Sequence, residues 1–307
     1  MKNIFALLLF LLSISYTYSQ INVKDSTVSV KTFWKVGDNH HFKFTSLETK
    51  NVGNNSSEIE KLSYSINVKV LDIFEEESTI QWEYDSIEID QNKFINNPLF
   101  LLKKLPVKFI IDKDGRFLRF DNLSNTIDSF INSSESIQNN YIDDLETLQK
   151  IKNLTKYYAT EQNIIKIFEK DIRQFHMFYG TGDYKLNETV LEYNSYMDNL
   201  FNTSPTPSKT RISLNDIGLS GTNYIINAKQ FADKDWLCDS WFNYLKRLAT
   251  ELGSDQPDPS HKNDDITYTV NTNSRIKNDG WLLYSLETKK VIFQDTDYTL
   301  VRKIEIQ

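Results

Sequence analysis

The stretch Leu62-Ser63-Tyr64-Ser65-Ile66-Asn67-Val68-Lys69-Val70 decides the fold. Leu62, Tyr64, Ile66, Val68 and Val70 fall on one side of an extended chain. Ser63, Ser65, Asn67 and Lys69 fall on the other. Strict period-two alternation is the mark of a strand in an antiparallel sheet with one dry and one wet face. Upstream, a partner strand is expected around His40–Lys50, and the polar, glycine-containing stretch Asn51–Ser57 suits a hairpin loop. Downstream, Ile80, Trp82 and Tyr84 share a face, but Ile87 and Ile89 continue on the opposite parity. A parity switch within a strand implies a bulge near Asp85–Ser86, and bulges curve sheets.

Farther out the pattern changes twice. Pro98–Leu105 is short and apolar, enough for one or two helical turns covering the sheet. Val107, Phe109 and Ile111 resume period two, Asp112-Lys113-Asp114-Gly115 supplies a tight turn, and Arg116–Phe120 returns as a partner strand. Over about residues 123–179 the spacing becomes three and four. Tyr141, Leu145, Leu148, Ile151, Leu154 and Tyr158 form one series, and Ile164, Phe168, Ile172 and Phe175 another. These are amphipathic helices, whose frequent acids are expected on the outer face. Strands are then expected at Tyr184–Tyr193, Lys209–Leu214 and Thr222–Ala228, with Thr203–Ser208 as a loop. A helix follows over Lys234–Leu252 with Gly253 at its end, and the C-terminal strands begin near Ile266. Strands, helices, strands, one helix, strands is an α+β order with a large, curved antiparallel sheet, half-barrel-like, packed on helices. A single domain over residues 20–307 is expected.

The first nineteen residues read as an export signal. Lys2 is followed by the apolar run Ile4–Leu12, and Thr17 and Ser19 supply small residues before a cleavage site, so that the mature chain starts at Gln20. The run is shorter than the roughly 20 residues that span a bilayer. No comparable run follows, so the mature chain is expected to be soluble and to work in the periplasm or outside the cell. Without Lys2 the chain carries 34 basic against 42 acidic residues, a net charge of −8. That balance argues against nucleic acid and against adhesion to an anionic membrane by charge. Cys238 is the single cysteine; an internal disulfide is excluded and a buried helical thiol is expected.

No residue pattern demands catalysis. His40, His41, His176 and His261 lack metal-ligand spacing, and adjacent histidines on a strand point to opposite faces, so no metal or cofactor is expected. Asp112 and Asp114 lack the remaining ligands of a calcium loop. There is no G-x-S-x-G motif, and the Gly180–Asp183 and Gly218–Gly221 turns have no phosphate-loop lysine. Acid pairs such as Asp143/Asp144 arise freely in so acidic a chain. What stands out is the aromatic content, 13% of residues. Tyr64, Trp82, Tyr84 and Tyr268 stand on period-two faces. Where a curved sheet leaves such a face open, large rings with polar tips suit an apolar ligand; otherwise they are core.

The opening Phe33-Trp34-Lys35-Val36-Gly37-Asp38 and the hairpin Phe109–Phe117 resemble features of a group of exported proteins of Bacteroidota. In outline the chain resembles the LolA/LppX-type half-barrel, in which a sheet wraps around helices. The resemblance implies carriage of a lipid in the concave face and assigns no residue. The expectation is a non-enzymatic exported binding protein for an apolar ligand or lipid. The alternatives are a cell-envelope interaction or structural protein, which would bind another envelope protein through a sheet edge, and a hydrolase of envelope polymers, which would need two carboxylates converging in a cleft.

Overall fold

The computed structural model describes residues 20–89, 97–188, 191–198, 200–201, 204–260 and 265–307. The expected signal segment, Thr203 and His261 lie outside them. A small sheet joins β1 (Ile21–Asn22), β2 (Thr27–Ser29) and β8 (Asp183–Lys185). The main sheet has eleven strands, all antiparallel. Its first half comprises β3 (Asn39–Val52), β4 (Asn55–Phe74), β5 (Glu77–Ile89), β6 (Pro106–Asp112) and β7 (Phe117–Asp121). Its second half comprises β9 (Leu191–Met197), β10 (Thr206–Ile217), β11 (Asn223–Ala232), β12 (Ile266–Lys277), β13 (Leu282–Phe293) and β14 (Thr296–Ile306). The order is β7-β6-β5-β4-β3-β14-β13-β12-β11-β10-β9. β7 and β9 are open edges, so the sheet does not close into a barrel. The C-terminal strand β14 lies between β3 and β13 and joins the two halves.

The stretch that decides the fold behaves as its alternation requires: Ile66, Val68 and Val70 are fully buried. The parity switch in β5 is a bulge. Tyr84 lies opposite Ile66 and Ile87 opposite Tyr64, so Asp85 and Ser86 together face only Ser65. The hairpin loop expected over Asn51–Ser57 shrinks to Gly53–Asn54, because β3 and β4 keep pairing through Val52 and Asn55. Tyr184–Tyr193 is not one strand: β8 and β9 belong to different sheets. Thr206–Ser208, expected in a loop, pairs with β9.

Four α-helices occupy the described residues: α1 (Leu123–Gln138), α2 (Leu145–Tyr158), α3 (Glu161–Phe175) and α4 (Lys234–Leu252). Pro98–Leu102 adds a short 3-10 turn. Three α-helices have side-chain caps, in which Asn122, Asp144 and Asp233 each accept a backbone N–H of the first turn. α4 stops at Gly253, whose φ of 64° is a left-handed conformation that glycine adopts without a steric cost. Cys238 is buried on α4, and burial pushes its thiol pKa up. Among the described residues no helix is long and apolar enough to cross a membrane.

α3 packs against the sheet. Ile164, Phe168, Ile172 and Phe175 are buried, as their spacing requires. Asp171 corrects the expectation that the acids face outward: it is 3% exposed and faces the sheet. It accepts from the Tyr64 hydroxyl on β4 at 2.7 Å, the Tyr84 hydroxyl on β5 at 3.1 Å and the Arg302 guanidinium on β14 at 2.6 Å. β14 and β5 are three steps apart in the sheet, about 14 Å if it were flat. One carboxylate meets both because a tyrosine and an arginine, both long, converge on it from one face of the sheet.

Candidate binding site on the concave face

The packing of α3 decides the fate of the aromatic faces. Tyr64, Trp82 and Tyr84 are 6%, 0% and 0% exposed. α3 covers them: Trp82 meets Phe175 with ring centroids 5.5 Å apart, and Tyr84 meets Phe168 at 5.8 Å. Of the two readings open for these three rings, core or the wall of an open groove, they are core. Burying rings of this size stabilises the packing of α3 on the sheet, and the polar tips of the two tyrosines satisfy Asp171. Burial, followed by the charge of Asp171, raises both tyrosine pKa values well above the ordinary range.

The concave face stays open farther along, between α3 and α4. The side of this opening next to α3 is polar, a recess of 590 Å³. Its lining includes Lys170, Arg173 and Gln174 from α3, Tyr268 from β12, Lys289 from β13 and Arg302 from β14. Arg302 donates to Asp171 and, at 3.2 Å, to Glu287. Burial opposes its charge, and the two carboxylates outweigh that and raise its pKa. Lys289 donates to Asp198 at 2.8 Å. Burial likewise opposes this ammonium, while Tyr268 and Asp198 overcome it and raise its pKa. Asp198 is itself partly desolvated, yet Lys289, Lys170 and Arg173 hold its carboxyl below the usual range.

Tyr268, the fourth aromatic expected to bind, lines this recess. It is 2% exposed, and its hydroxyl has no hydrogen-bond partner of normal geometry. The Lys289 ammonium, 5.7 Å from the ring centroid, acts on that hydroxyl through its charge first and through a loose hydrogen-bonding approach second. Gln174 donates to the backbone carbonyl of Arg302 at 3.2 Å, which fixes the amide orientation and leaves its carbonyl oxygen without a partner. Buried polar groups ordinarily find partners; the Gln174 carbonyl oxygen and the Tyr268 hydroxyl are two on this wall that lack one of normal geometry.

The side next to α4 is apolar, a recess of 460 Å³. Phe201, Trp241 and Phe293 form its wall: Trp241 lies 5.6 Å from Phe201 and 4.9 Å from Phe293 between ring centroids. Val291, Leu300 and Tyr298 complete it. Tyr298 remains 38% exposed. Lys289 and Leu300 line both recesses, so the two are one trough, charged at one end and greasy at the other. Each volume is within the roughly 300–1,000 Å³ of small-molecule sites. Among the described residues no cluster of three or more His, Cys, Asp or Glu could hold a metal ion.

Sequence reasoning did not single out Phe201, Trp241, Lys289, Phe293 or Tyr298 as site residues. The missing information is the strand order. Nothing local to Tyr298, Phe293 or Trp241 says that β14 lies against β13 or that α4 crosses above them.

No family model matches the chain, and no curated protein does. Among solved structures, a lipovitellin chain described by the words "lipid-protein interactions in lipovitellin" is similar with a TM-score of 0.45 and 8% identity. The match covers 89% of this chain and 25% of that one, so this chain spans about a quarter of its length.

Proposed function

We propose that this is an exported binding protein, without catalysis of its own, that holds an apolar or amphiphilic small molecule in the trough between α3 and α4. The observation that carries the reading is the apolar recess itself. Large rings from α4 and β13 stand half-buried around open space, although nearby rings of the same kind pack to completion under α3. Leaving such surface wet sacrifices stabilisation of about 25 cal/mol per Å², and a ligand recovers it. Export rests on Lys2, the apolar run Ile4–Leu12 and the small residues before Gln20. Carriage of a lipid in a concave sheet also agrees with the resemblance to the LolA/LppX-type half-barrel.

The test is titration with N-phenyl-1-naphthylamine, a neutral probe that fluoresces in apolar surroundings. Saturable binding is expected. Trp241→Ala and Phe293→Ser should each weaken it about tenfold, since loss of a buried ring costs on the order of 1.5–3 kcal/mol. Trp82→Phe, a change inside the core, should leave the affinity unaltered. Absence of saturable binding, or equal affinity in Trp241→Ala, would refute the reading.

A second reading has an observation of its own. The edge strand β9 exposes Leu191, Tyr193 and Tyr196 beside unpaired backbone. Open edges accept an added strand from another chain. Protection of β9 amides from exchange only in the presence of an envelope partner would favour it.

A further inference from the structure

We infer that the molecule held in the trough is a single-chain amphiphile with an anionic head, the head seated among Lys170, Arg173, Lys289 and Tyr268 and the chain running past Leu300 into the Trp241–Phe293 recess. This rests on the binding reading above and adds the chemical class of the ligand.

Charge is the first support. The mature chain is acidic overall, yet the polar recess is lined by five cationic side chains, from Arg116, Lys170, Arg173, Lys289 and Arg302, against three carboxylates, from Glu169, Asp198 and Glu287. Arg116 pairs with Asp112, Arg173 with Glu169, Lys289 with Asp198, and Arg302 with Glu287 and with Asp171 beneath the surface. Lys170 has no carboxylate partner among the described residues, and it lies close enough to Asp198 to act on its ionisation. With these partners counted, five cations meet five carboxylates, two of which hold Arg302, so Lys170 is the cation left over for an incoming anion.

The unmet hydroxyl of Tyr268 is the second support. Tyr268 lines the recess beside Lys289, and its enclosed hydroxyl has no hydrogen-bond partner of normal geometry, so a small shift of the ring offers a donor to whatever fills the recess. An anionic oxygen takes such a donor better than a neutral one does. Position is the third. Lys289 lines both recesses, so a head bound to its ammonium has the apolar recess immediately beside it. Asp198, whose side chain is 73% exposed, occupies that ammonium from the rim and is the group an incoming anion competes with.

Competition against bound N-phenyl-1-naphthylamine tests the assignment with dodecanoate, dodecyl phosphate and dodecanol, which share one chain and differ in the head. Both anions should displace the probe at about tenfold lower concentration than the alcohol, since a charge-assisted hydrogen bond contributes about 1.5–3 kcal/mol. Lys170→Gln with Arg173→Gln, both on exposed positions of α3, should erase most of that advantage. Asp198→Asn should enlarge it, because it removes the competing carboxylate. These changes of opposite sign separate a head-group site from a merely structural ion-pair cluster. Equal displacement by dodecanoate and dodecanol, or an advantage indifferent to all three substitutions, would overturn the inference while leaving the apolar site intact. Failure of the probe itself to bind would overturn the site and the inference together.

Discussion

His176 follows α3 and is enclosed by Trp34, Phe109, Phe175 and Tyr179. Its Nδ1 lies 2.8 Å from the Gly115 carbonyl, so Nδ1 carries the proton and donates, and Nε2 is left as a buried acceptor without a partner. Burial disfavours the imidazolium and lowers the pKa to about 4, more than the Gly115 carbonyl can offset. In the unfolded chain the group titrates near 6.5. Between these values the unfolded state binds the extra proton, so the contribution of a neutral His176 is complete above about pH 6.5 and is lost as pH falls toward 4. The difference amounts to about 3 kcal/mol. Urea unfolding of the wild-type chain should therefore show stability falling over that window. His176→Phe should flatten the slope there, whatever it does to stability at pH 7.5, and an unchanged slope would mean that the histidine is hydrated. The sequence offered His176 as one of four histidines without metal spacing. Its real role, a neutral ring pinned to the Asp112–Gly115 turn, depends on a long-range contact that no local pattern encodes.

Among the elements, α3 is the one that organises the fold. Its apolar face is readable from Ile164, Phe168, Ile172 and Phe175, because helical spacing is a local property. Asp171 is also legible in hindsight: it stands three residues after Phe168 and four before Phe175, on the buried side. An acid at such a position needs partners, and Tyr64, Tyr84 and Arg302 come from three different strands to supply them. Asp171→Ala leaves Arg302 desolvated with Glu287 alone and strips two buried hydroxyls of their acceptor. Removal of one partner of a buried pair costs about 3–5 kcal/mol, so chemical denaturation should show a loss of that order. Asp171→Ala combined with Arg302→Met should recover part of it, because the uncompensated charge is gone. A double variant no better than the single one would mean that the two hydroxyls, not the guanidinium, dominate the cost. The strands tell a similar story. The alternation of residues 62–70 and the parity switch at Asp85–Ser86 were legible because each is a few residues long. The splitting of Tyr184–Tyr193 between two sheets was not, since only the partners of β8 and β9 decide it.

At the scale of the whole molecule, one curved sheet is filled twice and left open once. α3 completes the core over β4, β5 and β14, α4 packs against β12 through Leu237, and the trough lies between them. The class of fold followed from the order of periodicities along the chain. The site did not, because its walls come from β12, β13, β14, α3 and α4, and their adjacency is a property of the strand order, with β14 inserted between β3 and β13. Aromatic alternation at Tyr64, Trp82 and Tyr84 allowed either core or a groove, and the rings are core because α3 packs on them. Tyr268, three strands beyond β3 in the sheet order, escapes that helix and reaches the recess. The most direct measurement is photolabelling of the mature chain with a dodecanoate that carries a diazirine at its chain end, followed by peptide mass spectrometry. Saturable labelling is expected on the β13–β14 hairpin around Val291–Tyr298 and on α4 around Trp241, competed by unlabelled dodecanoate. Labelling concentrated on the β9 edge, or spread over the surface without saturation, would contradict it.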